Sequence, residues 1–197
     1  MRITDVSAVV RAAVPVPVTG LAEASVRAMG SLARRAAVVT VADSLVPVFA
    51  DEIRGLGGAG VFAAPPVRAY RPESTHLDVR RAVDDPTDLI ERFDVSARIA
   101  VDEGADAVVV GCGYLGAIFD AHGYRAVSTA ADVPVIDPNR LALEHVLQLC
   151  HLADGGIRPT DRGYPSAAGA RRAALLHTSR RLVPDAAAST SQEGTPA

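Results

Sequence analysis

Three apolar runs, AAVVTVA (36 to 42), ADAVVVG (105 to 111) and VPVI (133 to 136), have the length of buried strands, and a segment with helical patterning follows each. Alternation of this kind extends from Val14 to Leu152 and restricts the fold more than any other feature. Continuous apolar strands separated by helices bury themselves when helices cover both faces of a parallel sheet. The expected fold class is therefore α/β, a parallel sheet flanked by helices. Only 4% of residues are aromatic and none is Trp, so Val, Ala, Leu and Ile must build the core.

The first ten residues amount to a strand or a lead-in, and VPVPVTG (14 to 20) is strand-like up to Thr19-Gly20. LAEASVRAMGSLARR reads as a helix ending near Gly30. In SLVPVFADEIRGLGG, Ser44 is the expected cap, Pro47 fits the first turn, and Gly55, Gly57 and Gly58 form the stop. VFAAPPVRAYRPESTH reads as extended or irregular, with a short strand from Val67 to Tyr70; Arg68 and Tyr70 are expected at the surface. Asp85 before Pro86 opens a helix whose stripe is Leu89, Phe93, Ala97 and Ala100. Asp137-Pro138 opens the last main helix, with Leu143, Val146, Leu147 and Cys150 on one face. Beyond Asp154 the composition turns to Gly, Pro, Ser, Ala and Arg. A short helix from Ala168 to Arg181 and a disordered tail are expected there.

All 20 basic residues are Arg. Without Lys there is no pyridoxal Schiff base, no Walker-type phosphate lysine and no Lys general base. The net charge of −3 suggests no nucleic-acid partner. The pairs Arg34-Arg35, Arg80-Arg81, Arg171-Arg172 and Arg180-Arg181 lack interleaved aromatics and read as surface charge. His76, His122, His145, His151 and His177 show no metal-site spacing, and Glu144 reads as part of a solvated helix face. No metal or other cofactor is expected. No basic n-region precedes an apolar h-region, and no apolar run approaches about 18 residues, so no membrane span and a reduced, cytoplasmic setting are expected.

The stretch VVVGCGYLG carries the chemistry. Gly111, Gly113 and Gly116 give the spacing GxGxxG after a strand, with Asp132 positioned 21 residues past Gly111. That would suit a dinucleotide loop. Against it, Asp132 precedes VPVI instead of ending a strand, Asp137 is better explained as a cap, and about one βα unit remains downstream. The same geometry suits a catalytic cysteine. At the start of a helix, Cys112 meets the positive end of the helix dipole and free backbone N–H groups, which favour thiolate. Flanking glycines let a substrate approach those amides. The alternative is a buried free thiol acting as a small hydrophobe, which stays open for Cys112 and is favoured for Cys150.

The ordered run EGADAVVVGCGYLG, DVPVIDP and ALEHVLQL resembles the aspartate/glutamate/hydantoin racemase superfamily, most closely its hydantoin-racemase branch. AAVVTVADSLVPVFADEI resembles the opening of that family's second lobe, VPVTGLAEA the link between lobes, and IRPTDRGYPSA the C-terminal segment. The resemblance covers residues 14 to 166. It implies cofactor-independent racemisation in which two cysteines face opposite sides of an acidic carbon, one removing the proton and the other returning one. By position, Cys112 would be the second-lobe acid/base. Gly113 and Tyr114 would line the substrate, with Thr40 and Ser44 on the neighbouring loop. The implied partner is a small-molecule substrate: an amino acid, a hydantoin or a related carboxylate.

The resemblance divides the chain into a remnant of the first lobe with the inter-lobe helix (1–30), one complete racemase-type lobe (31–153) and a C-terminal segment (154–197). No cysteine precedes the link, so most of the first lobe and its acid/base group are expected to be missing. Gly113 also stands where many relatives have Thr or Ala. Three explanations stand open: a start upstream of Met1, a one-lobe remnant that binds without catalysing, or a single-cysteine reaction of the arylmalonate-decarboxylase kind. The last needs a homo-oligomer to supply the missing wall.

Overall fold

The computed structural model describes Ser7, Val10, Arg11, Val14 and residues 16–158. Helix α1 (Leu21–Leu32) leads into β1 (Ala36–Thr40), α2 (Val46–Gly55) and β2 (Phe62–Ala69). Then come α3 (His76–Arg81), α4 (Thr87–Asp102), β3 (Ala107–Val110) and α5 (Gly113–Ala121). The hairpin β4 (Ala126–Val127) and β5 (Ala130–Ile136) precedes α6 (Pro138–Asp154). Among the described residues the strands form one sheet in the order β2-β1-β3-β5-β4. All neighbours pair in parallel except β4 with β5.

Strand alternation sends successive side chains to opposite faces. Ala36 and Val38 of β1 join Ala107 and Val109 of β3 against Met29 of α1 and Ile53 of α2. On the other face Val39, Val108 and Val110 meet Leu89, Phe93 and Ala97 of α4 and Leu115 and Phe119 of α5. The expected α/β architecture, with helices on both faces, is what forms. The expected stripe of α4 is buried in full, Leu89, Phe93, Ala97 and Ala100 each being at most 2% exposed. Phe93 sits edge-on to Tyr70, Phe119 and Tyr124, so four of the eight aromatics meet at one point of the core.

The chain passes from β1 to β2 on one side, then returns across β1 to place β3 on the other. Helix α2 after β1 packs on one face and α5 after β3 on the opposite face. The carboxyl ends of β1 and β3 therefore diverge into a crevice, the position where open α/β sheets hold ligands.

Several local expectations need correction. VPVPVTG makes no strand over the described residues 16–20, since Pro15 and Pro17 supply no ladder N–H. The short strand expected from Val67 to Tyr70 is longer and starts earlier, an eight-residue β2 that tolerates Pro65 and Pro66 because it lies at the sheet edge beside a register shift. Ser44 caps nothing: a 3-10 turn, Asp43–Leu45, precedes α2, whose N-cap is Leu45. Tyr70 is core instead of surface, wholly buried, and half-buried Arg68 is ion-paired with Glu103. Leu143 and Leu147 on the apolar side of α6 are 58% and 45% exposed.

Asp137 caps α6 with Pro138 in the first turn as expected, whereas the N-cap of α4 is Pro86 and Asp85 stands one residue before it. Asp85 accepts from the Thr87 amide and hydroxyl at 3.0 and 2.6 Å, and Asp137 accepts from the Asn139 amide at 2.9 Å. Residues 159–197, including the helix expected from Ala168 to Arg181, the disordered tail and His177, lie outside the described residues. So do most of the first ten.

A buried carboxylate fixes the β4 hairpin onto α4. Asp94 is 6% exposed and accepts from Tyr124 Oη at 2.7 Å, from the Ser128 amide at 2.9 Å and from Ser128 Oγ, with Arg98 Nε at 3.1 Å. Burial pushes its pKa up, but the bonds from Ser128 and Tyr124 and the Arg98 charge outweigh that and hold it below the usual carboxylate range.

Candidate active site

Four residues of unbroken burial, Ala107 to Val110, bring β3 to the crevice, and Gly111 ends the ladder. Its amide donates to Val39 O at 2.7 Å and its carbonyl accepts from Thr40 Oγ1 at 3.1 Å. A Cβ on Gly111 would stand 2.8 Å from Thr40 Cβ and 3.0 Å from Val39 O. Glycine is needed there because β1 and β3 close tightly. Thr40 is 0% exposed, so its hydroxyl serves this closure and does not face a ligand.

Cys112 follows in extended conformation, φ −153° and ψ 118°, as the N-cap of α5. It is a free thiol, half-buried, at the border of the cluster that holds Tyr70, Leu115 and Phe119. Its carbonyl accepts the first α5 bond from the Gly116 amide at 2.9 Å. The amides of Gly113, Tyr114 and Leu115 thus come before the first intrahelical acceptor and are available at the crevice. Beside them Tyr70 Oη lies 2.5 Å from Ser74 Oγ. Burial pushes the Tyr70 phenol up; the Ser74 bond opposes this and negative charge at Cys112 adds to it.

The far wall comes from the start of α6. Asn139 Nδ2 donates to Gly113 O and to Asp137 Oδ1, both at 2.7 Å. A Cβ on Gly113 would meet Asn139 Oδ1 at 3.2 Å and Leu21 Cδ1 at 3.3 Å, a close fit that a shift of a few tenths of an ångström in either side chain would relieve. At Gly116 a Cβ would lie 2.4 Å from Asp137 Oδ1 and 2.8 Å from Pro138 Cδ. The three glycines of GCGYLG therefore serve close packing. A carboxylate, not space for a pyrophosphate, faces the last one. Asp132 is exposed within β5, short of the strand's carboxyl end, so the dinucleotide reading loses both of its supports.

Cys112 and Gly113 share the lining of a cavity of about 120 Å³ between the sheet and helices α1 and α2. Thr40, Ser44 and Tyr114 are not part of that lining. Ser44 is exposed on the loop after β1, and Tyr114 is 78% exposed on the first turn of α5. Asn139 was not singled out from the sequence, because its bond to the Gly113 carbonyl joins positions 26 residues apart. Cys150 is the other free thiol, half-buried on α6 and outside the cavity. His145 is half-buried, its Nδ1 2.7 Å from Thr19 Oγ1; burial and nearby Arg27 push its basicity down. Among the described residues no group of three or more His, Cys, Asp or Glu is placed to hold a metal ion. Nor is any described helix long and apolar enough to cross a membrane.

Fold and crevice together define an open parallel α/β protein with a free thiol at a helix N-terminus, at the point where the strand order reverses. The chain belongs to the Asp/Glu/hydantoin racemase family, whose family model matches residues 4–146. Its fold is similar to that of the allantoin racemase from Pseudomonas fluorescens, with a TM-score of 0.67 at 22% identity over 83% of this chain and 64% of that one. It is also similar to the allantoin racemase from Klebsiella pneumoniae, with a TM-score of 0.62 at 21% identity over 85% and 65% of the respective chains. The chain thus spans less than two thirds of the length of either protein. No curated protein sequence matches it.

Proposed function

We propose that this protein carries out cofactor-independent proton exchange at an acidic carbon next to a carbonyl, with Cys112 as the acid/base and a hydantoin-type ring as substrate. The observation that carries this reading is the position of Cys112: a free thiol at the N-cap of α5, in the crevice between β1 and β3. The Cys112 thiolate takes the C–H proton and becomes S–H, leaving the electron pair on an enolate. The amides of Gly113, Tyr114 and Leu115 stabilise the enolate oxygen, since fixed N–H dipoles gain strength in a partly dry site. Reprotonation from the opposite face, by water, inverts the centre, and the hydroxide left takes the Cys112 S–H proton to restore thiolate and water. Return of the same proton from Cys112 restores the original centre.

Family membership supports racemase-type chemistry, and the fold neighbours support a hydantoin-like ring, allantoin being one. Asn139 takes the place of a substrate-binding residue's support: it holds the Gly113 carbonyl and so the first turn of α5. The test is loss of optical rotation by a single enantiomer of a 5-substituted hydantoin. Wild-type protein is expected to racemise it above the buffer rate, and Cys112→Ser to leave only the buffer rate. Equal rates for both proteins would mean a binding protein or another chemistry.

A further inference from the structure

Tyr70 is a buried phenol beside the crevice that the proton exchange leaves unused. It is 0% exposed although it stands just past the end of β2. Its amide donates to Thr40 O at 3.1 Å, as the Gly111 amide donates to Val39 O at 2.7 Å, so both neighbours of β1 stay paired with it to the edge of the sheet. Carried on from Ala69–Thr40 and from Val110–Val39, the two registers put Tyr70, Val41 and Cys112 in one row. Neighbouring strands lie about 4.8 Å apart, and the residues of one row point to the same face. All three side chains accordingly belong to or pack against the cluster that holds Val110, Leu115 and Phe119. Tyr70 therefore stands on the buried side of the thiol, across Val41. The other phenol against this cluster, Tyr124, gives its O–H to Asp94 at 2.7 Å. Tyr70 Oη lies 2.5 Å from Ser74 Oγ, and the Ser74 amide donates to Val41 O at 3.2 Å, which pins the serine to the same row. Ser74 is half-buried, so the two hydroxyls lead from the loop after β2 towards Cys112.

A thiolate at Cys112 loses water on that apolar side and gains from any donor placed there. Burial pushes the Tyr70 phenol up and negative charge at Cys112 pushes it further, against the Ser74 bond, so Tyr70 keeps its proton while Cys112 ionises. Arg92 on α4 and Asp78 on α3 also face Tyr70 and act in opposite directions. We propose that Tyr70 and Ser74 are positioning residues for Cys112: the Ser74 hydroxyl donates to Tyr70 Oη and turns the phenol O–H towards the sulfur, which favours thiolate. The proposal deepens the reading of Cys112 as the acid/base and rests on it for any bearing on turnover, whereas the effect on the thiol itself needs no substrate. Removing a donor to the charged form raises the thiol's pKa, and a rise of about one unit cuts the thiolate fraction about tenfold at a pH well below it.

The experiment measures the rate of iodoacetamide alkylation of Cys112 in the full chain between about pH 5 and about pH 10, read by peptide mass spectrometry with Cys150 as the internal reference. Tyr70→Phe should raise the Cys112 midpoint by about one pH unit and Ser74→Ala by about half a unit, while the Cys150 midpoint stays in place. Ser74→Thr puts a hydroxyl back and should return the wild-type midpoint. A merely structural role would change the Cys112 rate by one factor at every pH with the midpoint unmoved, and that result overturns the proposal. So does a midpoint that falls, an equal shift of Cys150, or a Ser74→Thr midpoint that matches Ser74→Ala. If Tyr70→Phe does not fold, Ser74→Ala decides alone, because Ser74 is only half-buried in its loop. Exchange of the 5-hydrogen of a 5-substituted hydantoin with D2O separates this proposal from the reading it rests on. Exchange by wild type with unmoved midpoints keeps Cys112 as acid/base and removes the positioning role. Moved midpoints without exchange keep the positioning role and remove the acid/base reading.

Discussion

Removing the Asn139 side chain should loosen the crevice from its far wall. In Asn139→Ala two bonds of 2.7 Å disappear, one to the Gly113 carbonyl and one to the Asp137 carboxylate. A neutral amide–carbonyl bond contributes about 1 kcal/mol net and one to a charged oxygen about 1.5–3 kcal/mol. Asp137 keeps the Asn139 backbone amide at 2.9 Å, and the site is only half-buried, so the lower end applies. The expected loss is about 2 kcal/mol, or a fall in Tm of about 4–8 °C for a chain of this size. Urea denaturation followed by circular dichroism measures it.

Asn139→Asp provides the control on mechanism. It keeps the shape but replaces a donor by a carboxylate that faces both Gly113 O and Asp137. Like charge raises the introduced group's folded pKa above its unfolded value of about 3.9. The penalty is then complete above the folded pKa and fades as pH falls from there to the unfolded value, so the deficit relative to wild type should shrink on going from pH 7 to about pH 4. The same variants should let iodoacetamide reach Cys112 faster relative to Cys150, because the first turn of α5 has lost its brace. A stability change under about 0.5 kcal/mol in Asn139→Ala, or a pH-independent deficit in Asn139→Asp, would refute the reasoning.

Asp94→Asn should cost about 3 kcal/mol at neutral pH by breaking a buried, charge-assisted cluster, measured by chemical denaturation. Because Asp94 is held below the usual carboxylate range, its contribution is present above about pH 4 and lost as pH falls through the folded value; the variant should lack that acid limb. Gly116→Ala should cost about 1–3 kcal/mol, since the new methyl would overlap Asp137 Oδ1 and Pro138 Cδ. Unchanged stability there would mean that α5 and α6 can part freely, and the packing account of the glycines would be wrong.

The alternation of apolar runs and helical stripes made the parallel sheet legible, because burial on both strand faces leaves continuous apolar runs between the helical stripes. Val108 and Val110 read as core for that reason, as did Leu89 and Phe93 on their helix. The placement of Cys112 between a strand and the start of a helix was legible too. What the sequence did not show was decided by contacts between distant segments. Thr40 looked like a site residue but spends its hydroxyl on Gly111, which is 71 positions away. Ser44 looked like a cap, yet Asp43, Arg71 and Glu73 tie that loop instead. Asn139 mattered through a carbonyl 26 residues earlier, and no local pattern announces such a bond. The glycines misled in a similar way, since GxGxxG spacing records close backbone approach without saying what approaches. The start of β2 before Pro65 and Pro66 was not legible, because only the sheet order, which puts β2 at the edge, shows that the prolines cost it no ladder partner there.

Solvent-deuterium incorporation tests the central claim most directly. Incubation of 5-isobutylhydantoin in D2O with wild-type protein should replace the 5-hydrogen by deuterium faster than buffer alone, as followed by proton NMR. Cys112→Ser should exchange no faster than buffer, while Cys150→Ser keeps the wild-type rate. Exchange that persists in Cys112→Ser would contradict the account, because the proton would then be moving without the thiol at the switch point.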